Sequence, residues 1–144
     1  MYELFEHKAD MGVRGFGSTL EEAFQEGAKA MFEVMVDLKQ IEPKAGVEVE
    51  AFAPDREELF VEFLNQLLYL RDVQEMFFSE FKINSIEKRE KEGEELLFLK
   101  GMARGEKINL KSQRIKVDVK GATFSQLSVK EGNGQWTAQC VVDV

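Results

Sequence analysis

Apolar and polar residues alternate over residues 2–8, the two-residue period of a half-buried strand, and Gly12-Val13-Arg14-Gly15-Phe16-Gly17 continues as a second strand punctuated by glycines. The period then changes. From Leu20 the apolar positions Ala23, Phe24, Gly27, Ala28, Met31, Phe32 and Met35 recur every three or four residues, which predicts a helix with one buried face and with Gln25, Glu26, Lys29 and Glu33 toward water. Ser18 or Thr19 caps this helix: a hydroxyl there accepts a free amide of the first turn, and Glu22, three residues after Thr19, completes a capping box. Residues 47–52 alternate again as a strand. Asp55-Arg56-Glu57-Glu58 then opens a second helix, its acids placed where the helix dipole favours them. The apolar positions of that helix, Leu59, Phe60, Phe63, Leu64, Leu67, Leu68 and Leu70, form a wide face suited to packing on a sheet, with room for another subunit. Asn65 lies among these leucines and needs a hydrogen-bond partner if buried.

Beyond Asp72 and Val73 the pattern turns to strands. Residues 77–87 and 94–104 predict a hairpin around the charged turn 88–93. Residues 101–113 are polar and irregular and predict a mobile loop. Residues 115–119, 122–129 and 135–144 alternate around Gly132-Asn133-Gly134, which predicts further strands and a terminal hairpin carrying Asp143 to a sheet end. Two helices among about eight mostly hairpin-linked strands predict an α+β fold, with the helices packed on one face of a largely antiparallel β-sheet. The whole of residues 1–144 reads as one domain, without an internal linker.

Composition narrows the function. Nineteen Lys and Arg against 27 Asp and Glu give a net charge of −8, so strong direct grip on nucleic acid is not expected: phosphate binding needs clustered cations. Any role in nucleic-acid metabolism is expected to run through a protein partner. No apolar run approaches the length of a membrane span, and the first residues carry neither the basic start nor the apolar stretch of a signal peptide, so a cytoplasmic location is expected. The single cysteine, Cys140, falls in a β-branched strand and reads as a small buried hydrophobe.

One histidine, His7, leaves little for His-based zinc or nucleophilic catalysis, and the glycines at 12, 15 and 17 lack the spacing of a phosphate loop. The sharper chemistry is carboxylate. Asp143 ends an apolar strand next to Val144, and Asp10 ends another before Gly12; together they offer the hard oxygen donors that an oxyphilic cation requires. The plainer reading is that Asp10 orders the turn into Gly12 and Asp143 is a solvated end. Lys120, after the alternating Val117-Asp118-Val119, either reaches a phosphate or acidic partner or is solvated.

Glu6-His7-Lys8-Ala9-Asp10-Met11-Gly12-Val13 resembles the opening motif of the archease family, Glu-His-Thr-Ala-Asp-Ile-Gly-Ile, with Lys8 where Thr is usual. Met31 to Asp37 resembles the end of that family's first helix, Phe63-Leu64-Asn65-Gln66-Leu67-Leu68-Tyr69 the core of its second, and Val119-Lys120-Gly121-Ala122-Thr123-Phe124 a later segment. Trp136-Thr137 through Val142-Asp143-Val144 is similar to its closing motif, so the likeness spans the chain with order and spacing kept. The Arg-His pair common before the Lys120 strand is absent around Gln113-Arg114-Ile115, and Ser125 stands where a histidine often follows the aromatic residue.

The resemblance implies a non-enzymatic accessory protein of the RtcB-type tRNA-splicing RNA ligase. Such a protein promotes GTP-dependent guanylylation of the ligase and its multiple turnover, and meets tRNA only through the ligase. It also implies a divalent metal, calcium first with magnesium or manganese as alternatives, held by Asp10 and Asp143 together with a backbone carbonyl or terminal carboxylate of Val144, and a functional role for Lys120. Two other functions are weighed beside it: a stand-alone metal-dependent hydrolase using Asp37 or Glu6 as general base, and a chaperone-like module that covers apolar client surface with its Phe- and Leu-rich helix face.

Overall fold

The computed structural model describes residues 1–144. In chain order the elements are β1 (Tyr2–His7), β2 (Asp10–Gly17), α1 (Leu20–Met35), a short 3-10 turn (Leu38–Gln40), β3 (Ala45–Ala53), α2 (Arg56–Gln74), β4 (Met76–Lys91), β5 (Glu94–Lys107), β6 (Gly121–Ala122), β7 (Ser128–Gly132) and β8 (Gln135–Asp143). The α+β expectation holds, and the strands divide into two antiparallel sheets. The first has the order β1-β2-β8-β6, with β7 also paired to β8; the second has the order β3-β5-β4. No helix is long and apolar enough to cross a membrane.

Both helices start as the sequence dictates. The Thr19 hydroxyl accepts the Glu22 N–H at 3.1 Å, while the Glu22 carboxylate takes the Ser18 N–H at 2.8 Å. Asp55 caps α2 by accepting the Glu58 N–H at 2.8 Å. α1 lies directly on β2: a Cβ added at Gly15 would collide with the Ala23 carbonyl and the Gly27 nitrogen. Gly15 and Gly17 thus let helix backbone rest on strand backbone, which is why that strand reads as interrupted. The other side of α1 reaches the second sheet, where Phe32 meets Phe78 and Phe81 with ring centroids 5.6 and 5.5 Å apart. Phe60 and Phe63 of α2 close on Phe24 at 5.0 and 6.1 Å, so one continuous core draws on both sheets. Each buried Phe contributes about 1.5–3 kcal/mol of transfer free energy.

Four expectations require correction. The strand expected over 94–104 runs on to Lys107 as β5, so the loop expected from 101 begins only after it; Gly101, Ala103 and Gly105 form the inner face, and these small residues carry no visible apolar period. An added Cβ at Gly101 would lie 2.6 Å from the Lys82 carbonyl, where β4 bulges against β5, so bulk is excluded there by the partner strand. The charged run 88–93 is mostly ladder as well. Only Glu92 and Gly93 turn, both with positive φ, as a two-residue hairpin demands. Residues 115–119 form no strand. They run past the end of α1 with one bridge, Val36 to Ile115, and Lys116 N–H donates to the Met35 carbonyl at 2.8 Å. The expected strand 122–129 is likewise broken at a turn near Gln126.

The polar face of α1 is tethered as well as solvated. The Glu33 carboxylate accepts from Lys116 Nζ at 2.9 Å and Tyr2 Oη at 3.0 Å. Burial pushes its pKa up, but donation from Lys116, Tyr2 and the Leu38 N–H outweighs this and holds the carboxyl below its ordinary value.

Two measurements follow from this packing. Gly15→Ala is expected to lower stability by roughly 1–3 kcal/mol in urea unfolding, because the added methyl meets helix backbone that cannot give way. Glu33 binds its proton more weakly folded than unfolded, so it stabilises the fold above the unfolded carboxylate pKa and loses that contribution as pH falls through the lower folded one. Thermal unfolding across this acidic window is therefore expected to flatten in Glu33→Gln; an unchanged pH slope would exclude this role.

Candidate functional site

The ladder between β2 and β8 pairs Met11 with Val142, Gly12 with Val141 and Val13 with Cys140. Asp10 and Asp143 are the next residue outward on each of these neighbouring strands, so the register brings both carboxylates to one end of the first sheet. On the far side of β8, β6 pairs Gly121 with Asp143, and Lys120 N–H donates to the Asp143 carbonyl at 2.7 Å. Thr123 N–H donates to the Val141 carbonyl at 3.0 Å, continuing the attachment. Asp10, Asp143 and Lys120 therefore sit on three adjacent strand ends. Val144 follows, its side chain packed against the core.

The charged side chains predicted for this site are free of protein partners. Neither aspartate nor Lys120 enters an ion pair or side-chain hydrogen bond, although nearby acids and bases such as Asp118 and Arg71 do. The turn-ordering role considered for Asp10 is thus absent: the β1–β2 turn closes through the His7–Asp10 strand pair and the positive φ of Lys8. His7 faces Asp10 across that hairpin, and its Nδ1 is buried without a hydrogen-bond partner. An unsatisfied ring nitrogen next to unpaired carboxylates fits a polar ligand at this end. The structure does not gather three or more His, Cys, Asp or Glu side chains into a metal-binding group. A cation here would therefore need Val144 oxygens and water in addition to Asp10 and Asp143, a donor set suited to a hard cation.

The bases considered for the hydrolase alternative, Asp37 and Glu6, have these surroundings. Asp37 caps the 3-10 turn by accepting the Lys39 N–H at 3.2 Å, and Glu6 is an exposed residue of β1 opposite Met11. The largest concavity, about 580 Å³, lies elsewhere, lined by Leu20, Pro54, Arg56, Ile86 and Leu97 among others. Asp10, Lys120 and Asp143 lie on open surface rather than in that cleft.

One group near the site was not singled out from the sequence. Arg71 of α2 is 8% exposed and sends Nη1 to the Val119 carbonyl at 3.1 Å, one residue before Lys120. Its signal was a basic residue at the position that continues the apolar stripe Phe60, Leu64, Leu67.

The Archease protein family model matches residues 2–144. The chain belongs to the archease family. The protein archease of Pyrococcus furiosus is 40% identical over 144 residues, covering 99% of this chain and 98% of that one, and that of Thermococcus kodakarensis is 42% identical with the same coverage. The solution structure of Methanobacterium thermoautotrophicum protein 1598 superimposes with a TM-score of 0.78 at 33% identity, covering 99% of this chain and 98% of that chain. The crystal structure of a Thermotoga maritima archease, described as a possible chaperone, shares the fold with a TM-score of 0.50 at 18% identity over 100% of this chain and 98% of that one. The archease motifs at both ends of the sequence thus meet in space along the β2–β8 ladder.

Cys140 lies beneath this end, paired with Val13 and fully buried. Burial pushes its thiol up to about 12, so almost no thiolate exists near neutrality. A thiol-specific chromogenic reagent at pH 8 is expected to leave Cys140 unmodified in the folded protein and to react fully in denaturant; fast labelling without denaturant would show that this part of the sheet opens.

Proposed function

We propose that this chain is an accessory protein that activates an RtcB-type tRNA-splicing RNA ligase, promoting its GTP-dependent guanylylation and multiple turnover in the cytoplasm. The observation that supports this reading most is the convergence of unpartnered Asp10, Asp143 and Lys120 at one open sheet end in an archease-family chain. An open site with few enclosing walls suits presentation to a partner protein better than sequestration of a small substrate. The net charge of −8 leaves tRNA to be held by the ligase.

In this reading Asp10 and Asp143, with an oxygen of Val144, hold a divalent cation, calcium first, with magnesium or manganese suited to the same oxygen donors. Such an ion, when bound, neutralises charge on phosphate oxygens. Lys120, with no internal ion pair to break, offers its ammonium to a phosphate of the nucleotide at the ligase. His7 backs Asp10 from the neighbouring strand end. A client-binding, chaperone-like role is the second reading. It is favoured by the exposure of Ile115, Val117 and Phe124, at 40, 50 and 65%, on the segments flanking Lys120.

Multiple-turnover RNA ligation by the cognate ligase with GTP and divalent metal tests the first reading. Addition of the protein is expected to raise turnover, and Asp10→Ala, Asp143→Ala and Lys120→Ala, each checked for folding, are expected to lower that stimulation roughly 10–100-fold. Wild-type stimulation by both aspartate variants would refute it. Suppression of aggregation of unrelated proteins, unchanged in those variants, would favour the second. Calorimetric titration with calcium, magnesium and manganese is expected to show divalent binding that is lost in the Asp10→Ala, Asp143→Ala double variant.

A further inference from the structure

Lys120 stands outside any long ladder, because β6 is only two residues, Gly121–Ala122. A lysine carries its charge on a flexible four-carbon stem, so where the ammonium can reach is set by how firmly the backbone beneath it is held. Two side chains of α2 hold that backbone on either side. Before Lys120, the Val119 carbonyl accepts Arg71 Nη1 at 3.1 Å, and Asp118 Oδ1 accepts the same nitrogen at 3.1 Å. After it, Ala122 N–H donates to Asn65 Oδ1 at 2.8 Å, and Asn65 Nδ2 faces the Ala122 carbonyl at 3.4 Å. Asn65 Oδ1 also lies alongside Gly121, 3.6 Å from where a Cβ there would stand.

Neither residue is placed there by core packing alone. Arg71 is buried in a helix face otherwise made of Leu, Phe and Val, at a desolvation cost that a Leu or Met at the same position would avoid. Its Nε is satisfied by Asp72 at 2.9 Å, and Nη1 also contacts Met35 Sδ at 2.8 Å, which leaves the Val119 carbonyl as its one main-chain target. Asn65 spends both ends of its amide on a single residue, Ala122. Both anchors therefore converge on the four residues centred on Lys120 and Gly121.

We infer that Asn65 and Arg71 are positioning residues that clamp residues 119–122 to α2 and so fix where Lys120 stands beside Asp143. This rests on the proposed role of Lys120 in ligase activation. The clamp acts through main chain: Arg71 and Asn65 hold the carbonyl before and the amide after the Lys120-Gly121 pair, and the Lys120 N–H in turn holds the Asp143 carbonyl.

The test compares Asn65→Leu, of similar volume without hydrogen bonds, with Asn65→Asp, which keeps an acceptor for the Ala122 N–H; Arg71→Lys is the second site, chosen because truncation there would leave Asp118 and a cavity. Amide hydrogen exchange of the full chain is read residue by residue, alongside ligation stimulation. In Asn65→Leu, the Lys120 and Ala122 amides are expected to exchange at least about tenfold faster while amides of β3 and β5 keep their wild-type rates. Ligation stimulation is expected to fall with them, and Asn65→Asp to recover part of both; Arg71→Lys is expected to loosen Lys120 in the same local way. Uniform acceleration across both sheets, or local loosening with stimulation kept, would overturn the inference. If the wild-type protein stimulates no ligase, the proposed function fails, and the exchange pattern alone decides the clamp: local loosening supports it and an unchanged Lys120 amide overturns it.

Discussion

The register between β2 and β8 is the constraint on which the rest of the molecule depends. Side chains alternate across a strand with period two, so a slip of one residue would expose Val13 and Cys140, now fully buried opposite each other, and would carry Asp10 out of line with Asp143. Several local features pin that register at once. The Asn133-Gly134 turn, both residues with positive φ, sets where β8 begins relative to β7, and the short turn with Lys8 sets β2 against β1. Helix α1 then locks β2 from one face, because only glycine at position 15 admits the helix backbone. A shifted strand would bring a side chain beneath the helix and drive it off the sheet.

That lock also explains how two separate sheets make one body. α1 touches β2 through its backbone and the second sheet through Phe32, while α2 brings Phe60 and Phe63 to Phe24 of α1. The second sheet therefore backs the helices, and the helices back the first sheet. Residues 108–120, which cross from one sheet to the other, make few ladder bonds and take their position from side chains: Lys116 on Glu33, and Arg71 on Val119. The site end is accordingly held from behind by packed helices while its polar atoms stay open.

How much of this could be read from the sequence depends on where the period is carried by large residues. The Phe and Leu stripes of both helices, the capping box at Thr19 and the tight turn at Asn133-Gly134 state their structure locally, and all appear where expected. Residues 101–104 read as both strand and loop and 105–107 as loop alone, since the inner face of that strand is Gly, Ala and Gly, and its pairing is written in β4 rather than in itself. Residues 115–119 misled in the opposite sense: they alternate, yet Ile115 and Val117 face outward and the segment's hydrogen bonds go to the end of α1. The meeting of Asp10 with Asp143 was suggested by each acid's place at a strand end, but only a ladder joining residues 131 positions apart, Met11 to Val142, brings them together. Arg71 showed least, because a buried cation on an apolar stripe gives no sign of which distant carbonyl it reaches.

Two unpaired carboxylates at neighbouring strand ends repel each other and gain nothing from internal hydrogen bonds, so as stability elements they are a cost. A fold that nonetheless pins both, one by a hairpin and the other by two neighbouring strands, is on the proposed function organised for something that arrives from outside. On the proposed function that visitor has two parts, a cation for the acids and a phosphate for Lys120. They would meet at one place, because the Lys120 N–H donates to the Asp143 carbonyl. On that reading any coupling between them is reciprocal, cation and phosphate each changing the other's affinity by the same factor.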